Sequence, residues 1–301
     1  MRQTPPRLID LVAPSAKTRA GAWPQVQAWL DAHHLPYRFE PKKAFGDDPL
    51  FANSLEAQLS HFRSACEAED SDFIWCYQGG YGASRLLPHL AKWPKPKKKK
   101  ILMGSSDITA LLGFVHHAWG WTAVHGPCAA GAFSEGRLEE ETVRGVETIL
   151  GEGRVQLTSE LQPLNASANT VHLEGPLVGG NLTVLQYLFG TPWQIQTQGC
   201  IVILEDIDEP AYKTSLRLEQ MRQLGLFDRI QALIFGTFTH KKHAAEDSLL
   251  TQGVLQTFTQ QLACPVFTTP HVGHGPSNRP FVYGAGASLN LGKLSQDMHL
   301  C

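Results

Sequence analysis

Three short segments, far apart in the chain, each place a reactive side chain on a tight bend: Gly104-Ser105-Ser106-Asp107, Leu204-Glu205-Asp206 and Gly273-His274-Gly275. A serine, a carboxylate and a histidine are the parts of a charge-linked nucleophile. The carboxylate fixes the imidazole tautomer, and the imidazole takes the proton of the hydroxyl. The first segment follows the apolar run Ile101-Leu102-Met103 and precedes a helical pattern. Strand, sharp turn and helix form the layout of a nucleophile elbow. Either Ser105 or Ser106 can occupy its tip, and a serine there can equally cap the helix, with Asp107 favouring its first turn. The amide of Asp107 faces the same way as the hydroxyl and is a candidate oxyanion donor.

Gln78-Gly79-Gly80-Tyr81-Gly82 is a glycine-rich loop after another apolar run. Its glycines permit unusual dihedrals and close approach of backbone to a ligand, so it can supply a second oxyanion donor or be a simple tight turn. It matches neither the dinucleotide fingerprint nor a phosphate-binding loop, since no Gly-Lys-Ser/Thr follows. Glu205 ends the run Ile201-Val202-Ile203-Leu204. A carboxylate there must find a partner or sit at the surface in an acidic turn with Asp206, Asp208 and Glu209. His274 lies between two glycines that leave room beside the imidazole, with His271 as the local competitor. His240 and His243 have no clear third ligand, so no metal is expected.

The elements that must position these groups alternate. Strands are expected over residues 8–13, 35–39, 73–77 and 100–103, and helices over about 20–33, 50–69, through Arg85 and Leu86, and 108–119. Such alternation predicts a mostly parallel sheet with helices on both faces. A helix over 138–150, acidic at its start, and a linker through 164–169 follow. Beyond them, strands over 171–173, 201–204, 232–238, 266–268 and 287–291 and helices over 182–189 and 215–224 predict an α+β domain. The expected division is an N-terminal domain over 1–130, a linker with a helix over 131–169, and a C-terminal domain over 170–301.

The chain has 301 residues, 43% hydrophobic and 18% charged, enough for a sizeable core, and a net charge of -2 that argues against a nucleic-acid partner. No apolar run reaches the roughly 18 residues of a membrane span. Residues 1–7 lead into only a brief apolar stretch, short of a secretory signal, so a cytoplasmic protein without a membrane partner is expected. The six cysteines form no CxxC pair and suggest neither a zinc site nor a disulfide framework. Residues 95–100, Lys-Pro-Lys-Lys-Lys-Lys, read as a solvated loop entering a strand.

Taken in order, the segments resemble the LD-carboxypeptidase family, the serine peptidases of murein recycling, whose fold the microcin C self-immunity peptidases share. The resemblance rests on Val12-Ala13-Pro14-Ser15, Gly79-Gly80-Tyr81-Gly82 with Arg85-Leu86-Leu87-Pro88, Ser106-Asp107-Ile108-Thr109-Ala110-Leu111, and His125-Gly126-Pro127. It continues through Gly179-Gly180-Asn181-Leu182, Gly190-Thr191-Pro192, Glu205-Asp206-Ile207 with Glu209 and Tyr212, and Gly273-His274-Gly275.

The resemblance implies an α/β chain: a Rossmann- or flavodoxin-like N-terminal parallel-sheet domain, a smaller C-terminal α+β domain, and an active site between them. It implies a homodimer and no cofactor. It places the nucleophile at Ser106, the acid at Glu205 with Glu209 outside the triad, and the base at His274, with oxyanion amides from Asp107 and Gly80. The implied substrate is a small murein peptide, cut between an L-centre and a terminal D-alanine. Arg85 and Arg279 are candidates to hold its free carboxylate, which a guanidinium matches. Gln78 stands where the family usually has Arg, and Ser215-Leu216 where it often has Asp-Arg; both changes remove charge near the substrate. Two other functions are a self-immunity peptidase cleaving an aminoacyl or peptidyl nucleotide, and a non-catalytic peptide-binding protein, against which the intact Ser106, Glu205 and His274 argue.

Overall fold

The computed structural model describes residues 8–17, 22–133, 138–169, 171–240 and 244–300. Expectations on residues 1–7, Ala20, His243 and Cys301 lie outside the described residues. The chain divides into two compact units, Met1–Val155 with Met298–Cys301, and Gln156–Asp297.

The first unit contains β1 (Ile9–Val12), α1 (Ala22–Ala32), β2 (Tyr37–Arg38), α2 (Pro41–Ala44), α3 (Leu55–Glu67), β3 (Phe73–Cys76), α4 (Leu87–Leu90), β4 (Ile101–Gly104), α5 (Thr109–Phe114), β5 (Thr122–His125), α6 (Ala129–Phe133) and α7 (Glu140–Glu152). Its strands pair in parallel in the order β5-β4-β3-β1-β2. Every residue of β1, β3 and β4 is buried, including Asp10 in the otherwise apolar β1, as a parallel sheet covered on both faces requires. Helix α3 starts later than expected. The Asp48 side chain accepts from the amides of Leu50 and Phe51, both at 2.9 Å, and holds a turn there. Ser54 then caps the helix by accepting from Ala57 N at 3.2 Å. The helix expected over 108–119 is composite: a 3₁₀ turn over Ser106–Ile108, α5, and a π turn over Val115–Trp119. Strand β5 was not anticipated.

Lys100 departs from the solvated loop expected of it. It is 1% exposed, and its ammonium donates to Ala68 O at 2.7 Å and Ser71 Oγ at 2.9 Å, with Asp10 at 3.9 Å. Among the described cysteines, Cys66, Cys76, Cys128 and Cys200 are buried thiols.

Strand β6 (Arg154–Glu160) leads into the second unit, followed by β7 (Gln162–Pro163), β8 (His172–Asn181), α8 (Leu182–Tyr187), β9 (Ile201–Ile207), α9 (Ala211–Gln223), β10 (Ala232–Thr239), α10 (Ala244–Thr259), β11 (Val266–Thr268), β12 (Phe281–Tyr283), β13 (Gly286–Asn290) and β14 (Lys293–His299). An eight-stranded sheet runs β6-β14-β13-β8-β9-β10-β11-β7. Strands β8 to β11 are parallel in that order, with antiparallel pairs at β13–β8, β13–β14 and β11–β7. The core is mostly aliphatic, built around Leu177, Ile201, Ile203, Ile234 and the aromatic Phe267. Strand β6 alternates buried and exposed residues, a half-buried strand inside the stretch 131–169 expected to be a linker with a helix. Strand β8 runs well past the expected three residues. Among the described residues no helix is long and apolar enough to cross a membrane.

Candidate active site

The turn after β4 is bent backbone. Gly104 has no room for a side chain: a Cβ there would lie 2.9 Å from Ile108 Cγ2, so the helical turn folds directly onto the strand end. Ser105 is extended and its side chain makes no capping bond. Ser106 has φ +60°, the left-handed region that costs a non-glycine residue about 1–3 kcal/mol. That strain fits the sharp turn expected of a nucleophile elbow and separates Ser106 from Ser105, which carries none.

The glycine loop lies against this elbow. A Cβ on Gly79 would stand 2.8 Å from Ser106 Cβ and 3.2 Å from its Oγ, so only glycine fits beside the hydroxyl. Gly80 and Gly82 both have φ +110°. Gly80 is solvent-exposed, with Ala16 Cβ only 2.6 Å from where its own Cβ would be. Asp107 is 3% exposed. Its Oδ2 accepts from Ser15 Oγ and from Ala83 N, each at 2.7 Å, and the Gly82 amide also bonds the carboxylate. Burial raises the Asp107 pKa, and these hydrogen bonds oppose the rise.

In the second unit Glu205 lies within β9, not beyond its end, and is fully buried rather than part of a surface turn. His274 Nδ1 is 2.6 Å from Glu205 Oε2. A carboxylate only accepts, so a neutral His274 facing it carries its proton on Nδ1 and leaves the lone pair on Nε2. His271, the competitor, contacts Ser277 Oγ through Nδ1 at 3.3 Å.

A β-bulge brings the imidazole there. Phe235 pairs with Leu204 and Phe238 with Asp206, so Gly236 and Thr237 together stand opposite Glu205. The released Thr237 amide donates to Val272 O at 2.8 Å and pins the turn that carries His274. A Cβ on Gly236 would lie 2.4 Å from Val272 O and 3.2 Å from Glu205 Cβ, so glycine is required. Gly273 has φ +138° and no space for a side chain beside Thr237, whereas Gly275 has nothing closer than 3.9 Å. The two glycines flanking His274 therefore differ: one is a backbone necessity and the other is not.

Next to Glu205, Asp206 is 2% exposed. It accepts from Asn181 Nδ2 at 3.0 Å, Thr183 N at 3.1 Å, Thr183 Oγ1 at 2.8 Å and its neighbour Ile207 N at 2.9 Å. Burial, reinforced by the adjacent Glu205, pushes its pKa up to about 6. Glu209 instead pairs with Arg217 Nη1 at 2.9 Å.

The structure thus brings Ser106, Asp107 and the glycine loop together in one unit, and Glu205 and His274 together in the other. The two expected carboxylate-binding arginines are placed as follows. Arg85 Nη2 donates to Asn53 O at 3.1 Å and to Gln58 Oε1, and its guanidinium lies 3.4 Å over the Phe51 ring. Arg279 donates through Nη1 to Thr158 O at 2.7 Å, and its amide bonds His271 O. His240 Nε2 lies 3.1 Å from Thr251 Oγ1.

Sequence reasoning missed the roles of the Asp107 carboxylate, Asp206 and the Gly236 bulge. Only the last left a signal: a lone glycine inside the apolar run 232–238 marks a bulge or a close backbone approach.

Comparison with known proteins places both units. The N-terminal domain model of the LD-carboxypeptidases matches residues 9–126, and the C-terminal domain model matches residues 174–289. A Rickettsia conorii protein provisionally named a carboxypeptidase is 35% identical over 247 residues, 82% of this chain and 76% of that protein. The murein tetrapeptide carboxypeptidase of Pseudomonas aeruginosa is 28% identical over 303 residues, 95% of this chain and 94% of its own. Among solved structures, the muramoyltetrapeptide carboxypeptidase of Oxalobacter formigenes superposes with a TM-score of 0.81 at 24% identity, covering 97% of this chain and 98% of the other. The microcin C7 self-immunity protein superposes with 0.79 at 19% identity, covering 100% and 99%. At these identities the two structures establish a shared fold.

Proposed function

The chain belongs to the LD-carboxypeptidase family of peptidases, and from that premise we propose that it is a serine carboxypeptidase of cytoplasmic peptidoglycan recycling. Its substrate is a murein tetrapeptide, from which it releases the terminal D-alanine. The observation that carries the reading is a strained Ser106 at φ +60° in the same chain as a histidine held at 2.6 Å by a fully buried glutamate. Neither feature has an evident structural use, and together they are the parts of one reaction.

In that reaction His274 Nε2 takes the Ser106 proton as Oγ attacks the carbonyl carbon of the scissile amide. Glu205 keeps the ring in the needed tautomer and stabilises the imidazolium. The carbonyl oxygen, now an anion, is met by the Asp107 amide and by a glycine amide of the 79–82 loop. Donors held in advance are worth about 10²–10³ in rate each. The imidazolium then gives its proton to the leaving D-alanine nitrogen. Water, deprotonated by the same imidazole, hydrolyses the Ser106 ester and releases the tripeptide.

The murein substrate is supported by the name of the Pseudomonas aeruginosa relative, which spans nearly the whole chain. Mass spectrometry of digests of tri-, tetra- and pentapeptide stems tests it, alongside an aminoacyl sulfamoyl nucleotide. The tetrapeptide is expected to lose one alanine while the tripeptide stays intact. Cleavage of the nucleotide conjugate with the tetrapeptide untouched would overturn the murein reading.

A further inference from the structure

The proposed reaction uses the backbone of Asp107 and leaves its side chain unassigned. That carboxylate is deeply buried, yet it collects hydrogen bonds from the ends of two other strands. Ser15 follows β1, and Gly82 and Ala83 close the loop after β3; Asp107 itself follows β4. One side chain therefore ties three adjacent strand ends to each other. The anchor on the β1 side is itself fixed, because Gln58 Nε2 donates to Ser15 O at 2.9 Å and Ala13 O at 3.1 Å, and Arg85 donates to Gln58 in turn.

The loop that this carboxylate closes has little freedom elsewhere. Gly79 is against Ser106, Gly80 against Ala16, and Gly82 against the Phe51 ring, each closer than a Cβ would allow. A left-handed serine persists only where its surroundings over-determine it. The Asp107 side chain bonds the strained segment to the loop beside it. It also spans the two places from which the oxyanion donors come, its own amide and a glycine amide of the loop.

We propose that the Asp107 carboxylate is a positioning residue: it clamps the 79–83 loop to the elbow and so sets the spacing of the two oxyanion amides. The inference rests on the proposed serine mechanism. Its consequence is specific, because a clamp on the oxyanion hole acts when the tetrahedral intermediate forms and leaves binding of the intact amide alone.

The test compares Asp107→Ala, Asp107→Asn and Ser15→Ala on the murein tetrapeptide. D107A is expected to lower kcat about 10²–10³-fold with KM within about threefold, the cost of losing one oxyanion donor. D107N keeps an acceptor oxygen in place and is expected to recover much of that loss, and S15A, which removes one of the donors, to fall only several-fold. Tetrapeptide affinity, measured by calorimetry in S106A and in S106A/D107A, is expected to be equal. If D107A does not fold, D107N and S15A carry the same comparison. Wild-type kcat in these variants, or a loss shared equally by kcat and by affinity, would overturn the clamp while a dead S106A left the serine reading standing. Activity retained in S106A would take down the nucleophile and the clamp together.

Discussion

The elbow at Ser106 and the acid strand at Glu205 solve one problem by opposite means. At the elbow the backbone is bent: Ser106 sits at φ +60°, between a glycine with no room for a side chain and a second glycine pressed on its own Cβ. At the acid the reactive residue stays in its strand, and the neighbouring β10 is deformed instead by the bulge at Gly236 and Thr237. In both places the next residue is a buried aspartate. Asp107 draws its hydrogen bonds from the turns after β1 and β3, whereas Asp206 draws them from the β8–α8 junction and from its own neighbouring amide. On the proposed reading Ser106 is a nucleophile that must protrude, which accounts for the strain there. A carboxylate that holds a histidine must be dry and fixed, so it is left on a regular strand and the partner is brought to it.

If that division of labour holds, the largest effect outside Ser106 and His274 belongs to Glu205→Gln. The amide presents a donor where Nδ1–H needs an acceptor and favours the wrong tautomer. A loss of about 10⁴ in kcat is expected, with folding unaffected, in an assay of D-alanine release. A loss below tenfold would mean that burial of Glu205 serves packing alone.

A smaller effect sharpens the comparison between the two aspartates. The Asp206 carboxyl holds its proton up to about pH 6 in the folded protein, against 3.8 for the free group, because burial and Glu205 both disfavour its charge. Between those pH values the folded state binds more protons than the unfolded chain. Stability from this group is therefore fully present below the unfolded pKa and is lost as pH rises through the folded one, by about 3 kcal/mol in all. Subtracting the Asp206→Asn variant removes the other titrations. The stability of wild type relative to D206N, from urea unfolding, is expected to fall from about pH 4 to about pH 6 and then level off. A difference that rises with pH would show an Asp206 stabilised by its charge, and the two acids would no longer share a design.

Much of this molecule is legible in its sequence, and what is not has physical reasons. Strands β3 and β4 are unbroken apolar runs and β1 is apolar but for Asp10, and β11 appears at its expected residues. Strand β8 is hidden because Gly175-Pro176 and Gly179-Gly180 look like loop. Gly179 is in fact where two backbones touch, since a Cβ there would fall 1.8 Å from Ile203 O. Helix α10 is hidden because Leu249 and Leu250, 70% and 55% exposed, blur the apolar stripe. The residues proposed to react stand out in the sequence because their chemistry is particular to a few residue types. Their supports do not, because they are long-range: Ser15 and Asp107 are separated by 92 positions.

The central claim is that Ser106, and not Ser105, is the nucleophile. Intact-mass measurement after exposure to a serine-directed phosphonate, followed by peptide mapping, tests it most directly. One adduct on Ser106 is predicted, absent in Ser106→Ala, retained in Ser105→Ala, and matched by loss of tetrapeptide cleavage. An adduct on Ser105, or full tetrapeptide cleavage by the Ser106→Ala protein, would contradict it.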